Sequence, residues 1–167
     1  SCRIHFRRSR YGQKVFCNDK DVTKDIREPS VSRIVSKVSA VSGVREAMVE
    51  AQQKMAQGQN VVMDGRDAGT VVLPHADCKI FLTASVEERA KRRLKQQQRL
   101  GLEQDLQAVI KDMTERDYQD THRNISPLKP AEDAVILDCT NLDLAQTIDE
   151  VLAVIDKAAK RKRKGNN

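Results

Sequence analysis

Three short, predominantly apolar runs constrain the fold of this 167-residue chain more than any other feature. They lie at 61–63, 79–82 and 134–137, each followed within a few positions by polar residues. Uninterrupted apolar runs of this kind, unlike alternating patterns, are typical of strands buried on both faces of a parallel sheet. Helical patterns separate the runs, so the sequence predicts an α/β layered fold.

The amino-terminal part carries weaker signals of both kinds. Residues 3–7 and 13–17 are expected to form two short strands joined by a turn. A short helix is expected over 30–37. A longer helix should begin near Ser42, whose side chain can cap it, and should end near Gly58.

The carboxyl-terminal part has clearer helix signals. Ser85 with Glu88 three residues later forms a capping box, which predicts a helix from there to about residue 99. A second, longer helix should follow after a glycine. Asp143 and Gln146 predict the start of a last helix with one apolar stripe.

Composition disfavours several protein classes. No apolar stretch is long enough to cross a membrane as a helix, so no membrane association is expected. The four cysteines and three histidines show no spacing that suits a metal site, and we expect free thiols in a reducing cytoplasm. The absence of tryptophan and the few other aromatic residues disfavour a base-stacking nucleic-acid surface.

The net charge of +6 comes from one end of the chain. Residues 157–164 hold six of the thirty lysines and arginines, and the remaining twenty-four equal the twenty-four acidic residues in number. A terminal run of like charge is usually solvated, so we expect 157–167 to form a disordered basic tail. The alternative is a weak contact between this tail and RNA or another polyanion.

The sharpest local motif is Asp-Gly-Arg-Asp-Ala-Gly-Thr at 64–70, directly after the first apolar run. Ligands of open α/β sheets bind beyond the carboxyl ends of strands, and glycines let the backbone approach them closely. Asp64 could lie near a metal-bound phosphate, and Arg66 offers a fork of donors to phosphate oxygens. The alternative is a loop salt bridge between Arg66 and either Asp64 or Asp67.

The long helix after residue 101 carries charges where its apolar stripe should continue. The stripe ends at Met113, and helical spacing then places three charged residues toward the core: Arg116, Asp120 and Arg123. Buried charges are costly unless they are paired. One carboxylate cannot neutralise two arginines, so the pattern favours an anionic ligand. The alternative is a salt-bridged helix surface that turns away from the core.

Further arginines could also meet phosphate. Arg45 lies in the first turn of its helix, where the dipole disfavours a cation unless an anion or the neighbouring Glu46 compensates. Arg89, Arg92 and Arg93 follow the second apolar run, where they are either solvated or reach a polyphosphate. Phosphoryl transfer to a phosphate acceptor rests on positioning and charge neutralisation, which suits a sequence rich in arginine and poor in histidine.

Taken together, these motifs resemble those of bacterial cytidylate kinases. Residues 64–74 are similar to the DGRDxGTVVxP segment of that family, 79–93 to the segment after it, and 115–134 to its ERDxxDxxRxxxPLxPAxDA pattern. Shorter similarities lie at 21–27 and 44–47. The resemblance implies transfer of the γ-phosphoryl group of ATP, with Mg²⁺, to CMP or dCMP.

The resemblance also implies a fold and its organisation. The fold would be a P-loop nucleoside monophosphate kinase-like parallel sheet with helices on both faces. Residues 1–28 would form a small β insert of the monophosphate-binding region, and 29–156 the kinase core with a lid near 89–115. The basic tail would occupy 157–167.

Roles for single residues follow from the same resemblance. Ser36 would hydrogen-bond the cytosine, Arg45 and Arg66 would hold the CMP phosphate, and Asp67 would bind the nucleoside monophosphate. Arg116 and Asp120 would bind the sugar, Arg123 would reach the base or the transferring phosphate, and Asp64 would lie near Mg²⁺. The residues expected to act in catalysis are Arg66, Arg123 and Asp64. Contacts with ATP and the lid would begin at Arg89, Arg92 and Arg93.

One departure from the family pattern is large. No GxxxxGK[ST] motif, the loop that cradles the phosphates of ATP, occurs in the sequence, and the first strand of the family pattern is absent with it. A polypeptide of these residues alone is therefore expected to show little turnover and low stability. The absent part could lie upstream of Ser1 or come from a second chain.

Three other functional classes fit parts of the sequence. The first is a non-catalytic CMP-binding or interaction module that derives from a cytidylate kinase. The second is an RNA-associated protein that acts through the basic tail. The third is a kinase for a different nucleoside monophosphate, which a comparison of CMP, dCMP, UMP and AMP would distinguish.

Overall fold

The computed structural model describes residues 3–10, 12–39, 41–99, 101 and 103–165. Within them, the side chains at 29, 32, 33, 36 and 164 lie outside the description. The chain divides into two compact units, Ser1–Met48 and Val49–Asn167.

The first unit contains a three-stranded antiparallel sheet. Its strands are β1 (Ile4–Ser9), β2 (Gly12–Cys17) and β3 (Lys20–Asp21), in the order β1-β2-β3. β1 and β2 pair from Ile4↔Cys17 to Ser9↔Gly12, so the two strands expected from the sequence are confirmed. Asn18 and Asp19 turn the chain into β3 with positive φ angles of 48° and 67°, a conformation that these residue types tolerate.

Helices follow this sheet. A single 3₁₀ turn at Asp25–Arg27 leads to α1 (Pro29–Ser39), and then α2 (Ser42–Ala56) crosses the boundary between the units. Gly58, with φ of +67°, lies just beyond the end of α2, as the sequence predicts for a helix-terminating glycine.

The second unit contains a parallel pair of strands between helices. β4 (Ile80–Thr83) and β5 (Val135–Asp138) pair in register from Ile80↔Val135 to Thr83↔Asp138. These are the strands predicted from the second and third apolar runs, displaced by one residue. Mixed α/β content and parallel pairing are therefore confirmed.

Three helices complete the second unit: α3 (Val86–Gln98), α4 (Leu106–His122) and α5 (Leu144–Gly165). Ser85 Oγ accepts a hydrogen bond from Glu88 N at 3.2 Å, as expected for a capped start of α3. Asp143 and Gln146 cap α5 reciprocally, since each side chain accepts from the backbone amide of the other at 2.8 and 2.9 Å.

The first apolar run does not form the strand expected at 61–63. Residues 60–65 belong to no strand, and Val62 is fully exposed. An apolar run becomes a strand only where a neighbouring strand accepts its backbone hydrogen bonds. Within the described residues β4 has β5 as its hydrogen-bonded neighbour, and the prediction of a strand at 61–63 is therefore wrong.

The end of α5 also differs from expectation. We expected disorder from residue 157, whereas α5 continues to Gly165. Alanine, lysine and arginine have high helix propensity, and cations near the carboxyl end of a helix interact favourably with its dipole. Lys162 Nζ also contacts Asp77 Oδ2 at 2.7 Å, which attaches this end of α5 to the rest of the unit.

Among the described residues, the most deeply buried apolar ones belong to the second unit. They are Val72, Ala90, Val109 and Cys139. Val72 precedes β4, Ala90 lies on α3 and Val109 on α4, whereas Cys139 follows β5 directly. None of the helices in the described ranges is both long enough and apolar enough to span a membrane.

Candidate functional site

A wide helical turn positions the first group of charged residues. Ala68–Val72 forms one turn of π-helix, in which Leu73 N donates to Ala68 O at 2.7 Å. Asp67 O accepts from the amides of both Val71 and Val72, at 2.9 and 3.2 Å. Burial of Val72 anchors this turn, and Arg66 and Asp67 stand at its amino end.

The end of α4 positions the second group. Asp120 is only 8% exposed, and its backbone carbonyl accepts from Leu128 N at 2.8 Å. Arg123 follows the last residue of α4, and its Nε donates to Ser126 O. Residues 123–128 therefore fold back against the end of the helix and hold Arg123 there.

The two groups meet in what we call the arginine–aspartate cluster, formed by Arg66, Asp67, Arg116, Asp120 and Arg123. Arg66 Nε lies 3.0 Å from Asp120 Oδ2, and Arg116 Nε lies 3.9 Å from the same oxygen. Arg123 Nη1 lies 3.7 Å from Asp120 Oδ1, and Arg123 Nη2 lies 4.0 Å from Asp67 Oδ2.

The cluster has more positive than negative charge, with three guanidinium groups against two carboxylates. Asp120 Oδ2 is buried, and no donor in the described part of the chain forms a well-aligned hydrogen bond to it, despite the close approach of Arg66. The side chains of Arg66 and Arg116 are 36% and 49% exposed. Their donors can therefore reach an anion arriving from solvent.

Helical spacing had predicted that Arg116, Asp120 and Arg123 all point toward the core. The structure buries Asp120 and most of Arg123 on the core side, whereas Arg116 stays half exposed at the edge. Arg66 does not make the local salt bridge that was the alternative, because its described partner is Asp120 on α4. Asp64 is exposed.

A family model for cytidylate kinase matches residues 1–157. The chain is 52% identical over 161 residues to a protein of Lactobacillus johnsonii named cytidylate kinase. The matched region covers 96% of this chain and 68% of that relative. It is 50% identical over 155 residues to a cytidylate kinase of Streptococcus pneumoniae, covering 92% of this chain and 70% of the relative. The chain belongs to the cytidylate kinase family. The name that these relatives carry, cytidylate kinase, is that of a nucleoside monophosphate kinase.

Two further residues that the cytidylate kinase pattern assigns to the acceptor lie in the first unit. Arg45 Nε donates to Ser39 O at 2.9 Å, a contact within that unit. Ser36 lies on α1, but its side chain is outside the described part. Their roles in a cytidylate kinase site stay predictions.

The arginines expected at the lid of a cytidylate kinase make internal contacts. Arg89 Nη1 lies 2.7 Å from Asp117 Oδ2, and Arg89 Nε donates to Ala84 O at 2.9 Å. Arg89 thereby connects α3 to α4. Arg93 Nη1 donates to Gln96 Oε1 at 3.3 Å, which is a local contact on α3.

Arg92 makes the most extensive of these contacts. Its Nη2 donates to the carbonyls of Cys139 and Leu142 at 2.7 and 3.0 Å, and its Nε donates to Glu88 at 3.1 Å. Arg92 therefore ties α3 to the loop after β5. A role for these arginines toward ATP stays a prediction.

Sequence reasoning missed the buried pair formed by Lys79 and Asp133. The Lys79 side chain is 7% exposed, and its Nζ lies 2.8 Å from Asp133 Oδ2. The hydrogen bond from Lys79 lowers the pKa of the Asp133 carboxyl below its ordinary value. The signal that could have revealed the pair is a lysine at the first position of an otherwise apolar strand segment.

Proposed function

We propose that the protein is a cytidylate kinase in activity as well as in family, transferring the γ-phosphoryl group of ATP to CMP or dCMP to give CDP or dCDP. The observation that carries the proposal is the arginine–aspartate cluster, in which three guanidinium groups surround one buried carboxylate. A monophosphate supplies the negative charge that this cluster lacks.

The acceptor half of the reaction suits such a cluster. A phosphate oxygen of CMP attacks the γ-phosphorus, the bond from that phosphorus to the bridging oxygen breaks, and ADP leaves. The attacking oxygen is already ionised, so no general base is needed. Guanidinium groups held in place by Asp120 can neutralise developing charge without reorganising during the reaction.

Within this proposal the acceptor residues divide by the part of CMP that they meet. Arg66 and Asp67, with Arg45, hold the phosphate end. Arg116 and Asp120 contact the sugar. Two residues are assigned to the remaining parts of the acceptor: Ser36 to the cytosine, and Arg123 to the base or the transferring phosphate.

Magnesium enters with ATP in this proposal. In the ranges described, no group of three or more histidine, cysteine, aspartate or glutamate side chains could hold a metal ion. Mg²⁺ bound to a nucleotide needs only one or two carboxylates besides phosphates and waters. The single exposed carboxylate of Asp64, beside the cluster in sequence, fits this requirement. On the ATP side, we assign Arg89, Arg92 and Arg93.

Calorimetric titration with CMP tests the acceptor site directly. We expect Arg66→Met to weaken CMP binding by about 100-fold, because a charge-assisted bidentate contact is lost. The matched control is Arg161→Met, which removes one exposed arginine near the end of α5. Equal affinities for CMP, UMP and AMP, or an R66M variant that binds as tightly as the unmodified chain, would contradict the assignment.

A second candidate is a CMP-binding module without turnover. It concerns a polypeptide restricted to these 167 residues, which contain no GxxxxGK[ST] loop. A polypeptide restricted to residues 1–167 should then bind CMP but bind ATP weakly and turn over slowly. A coupled assay with CMP, ATP and Mg²⁺ decides, because robust turnover by that polypeptide would exclude this candidate.

A further inference from the structure

The Lys79 side chain is buried and held from two sides. Its Nζ donates to both carboxylate oxygens of Asp133 at 2.8 Å and also to Pro74 O. Desolvating an ammonium group is costly, and the cost is offset only by well-formed partners. These hydrogen bonds therefore hold the Lys79 ammonium group in one place.

These bonds join three segments of the second unit. Pro74 follows the π-helical turn, Lys79 immediately precedes β4, and Asp133 lies two residues before β5. The backbone repeats the connection, because Val135 N donates to Lys79 O at 2.9 Å. Lys79 thus ties the segment after the turn to the start of the parallel strand pair.

The lysine stem also runs beside the turn. A Cβ added at Gly69 would lie 3.5 Å from Lys79 Cδ, so the methylene chain borders the space next to Gly69. The segment after the turn is bonded to the ammonium group at Pro74. Arg66 and Asp67 stand at the amino end of the same turn.

We infer that Lys79, paired with Asp133, is a positioning residue that keeps the turn in place, and that Arg66 and Asp67 thereby keep their distances to Asp120 and Arg123. The inference rests on the proposed function, because the geometry it preserves is that of the acceptor site. Lys79 acts through the turn and needs no contact with the nucleotide.

Amide hydrogen exchange tests the positioning without any ligand. In Lys79→Met we expect the amides of Val71, Val72 and Leu73 to exchange about tenfold faster, because the turn loses its ammonium anchor. The amide of Cys139, bonded to Thr83 O at 2.8 Å, should keep its protection. The control is Lys91→Met, which removes an exposed lysine of α3. Unchanged exchange in the turn would overturn the inference.

CMP affinity then tests whether the held turn matters to the site. We expect K79M to weaken CMP binding about tenfold and Asp133→Asn about threefold, since D133N leaves the bond to Pro74. The double variant should bind no more weakly than K79M alone. CMP affinity unchanged by K79M would overturn the positioning role. If K79M does not fold, D133N carries both measurements, because the Asp133 side chain is 65% exposed.

The two measurements separate this inference from the proposed function. If the unmodified chain does not bind CMP, the proposed function fails and the predicted change in affinity falls with it. Hydrogen exchange still decides whether Lys79 holds the turn. Faster exchange in K79M with intact CMP binding in the unmodified chain and in K91M supports both proposals.

Discussion

The arginine–aspartate cluster and the Lys79–Asp133 pair both consist of charged side chains at the edge of a core. They differ in how closely and how evenly positive and negative groups are paired. Lys79 meets both oxygens of one carboxylate at 2.8 Å, and one positive charge faces one negative charge. In the cluster most separations lie between 3.7 and 4.0 Å, and three positive charges face two negative ones.

On the proposed function, this difference separates an ion pair that holds the fold from a charge cluster that binds the acceptor. A completed pair gains nothing further from an added anion. An incomplete cluster concentrates positive charge in a partly desolvated place, where Coulomb attraction to an anion is stronger than in water. If the proposed function holds, the excess of positive charge in the cluster is what marks it as the acceptor site.

The largest expected effect comes from removing the shared carboxylate of the cluster. Asp120→Asn should lower the free energy of unfolding by about 3 kcal/mol, because a buried charge network loses the carboxylate that three arginines approach. Urea denaturation measures the loss, and Asp112→Asn on the exposed side of α4 is the control. A loss below about 1 kcal/mol, typical of exposed pairs, would show that the cluster is not a desolvated network.

A smaller effect is expected when Arg66 keeps its positive charge but loses the planar guanidinium group. Arg66→Lys should weaken CMP binding about tenfold, since lysine carries a point charge and no planar fork. Calorimetry compares it with Arg99→Lys, an exposed site at the end of α3. Unchanged affinity in R66K would mean that Arg66 acts by charge alone.

The Lys79–Asp133 pair should make the stability of the protein depend on pH. Its carboxylate has a pKa lowered by the bond from Lys79, so it stabilises the fold above the ordinary carboxyl pKa. That stabilisation is lost as pH falls through the lowered pKa. Asp133→Asn should therefore be less stable than the unmodified chain at neutral pH, with the gap closing in acid. Urea midpoints over a pH series measure this, with Asp156→Asn as control; a gap independent of pH would contradict it.

The smallest effect is expected at an exposed pair. Lys162 and Asp77 lie 2.7 Å apart, but both side chains are largely exposed, so Lys162→Met should change stability by about 0.5 kcal/mol or less. Thermal unfolding at low and high salt measures it. A larger loss of stability that persists at high salt would show that this pair stabilises the fold as the Lys79–Asp133 pair does.

Sequence patterns predicted the elements whose determinants are local. The capped starts of α3 and α5 depend on residues three apart in the chain, and strands β4 and β5 depend on short apolar runs. Helical spacing on α4 was enough to predict that Asp120 lies toward the core. Comparisons with relatives then confirmed the family that the motifs had indicated.

The remainder depends on neighbours that are distant in sequence. Whether 61–63 becomes a strand is decided by a partner strand, which local pattern does not reveal. The partner of Arg66 is Asp120, fifty-four positions later, and the partner of Lys79 is Asp133, at the same separation. The sequence left Arg66 two candidate carboxylates, Asp64 and Asp67, and only the fold pairs it with Asp120.

The π-helical turn at Ala68–Val72 has a consequence for how this segment can vary. A π-turn contains one residue more than an α-turn, and it is held here by an amide five residues from its carbonyl. Deleting one residue would let the chain relax to ordinary helix and would rotate Arg66 by about 100° relative to the following strand. The length of this segment is therefore fixed by its geometry as firmly as its charged residues are fixed by their partners.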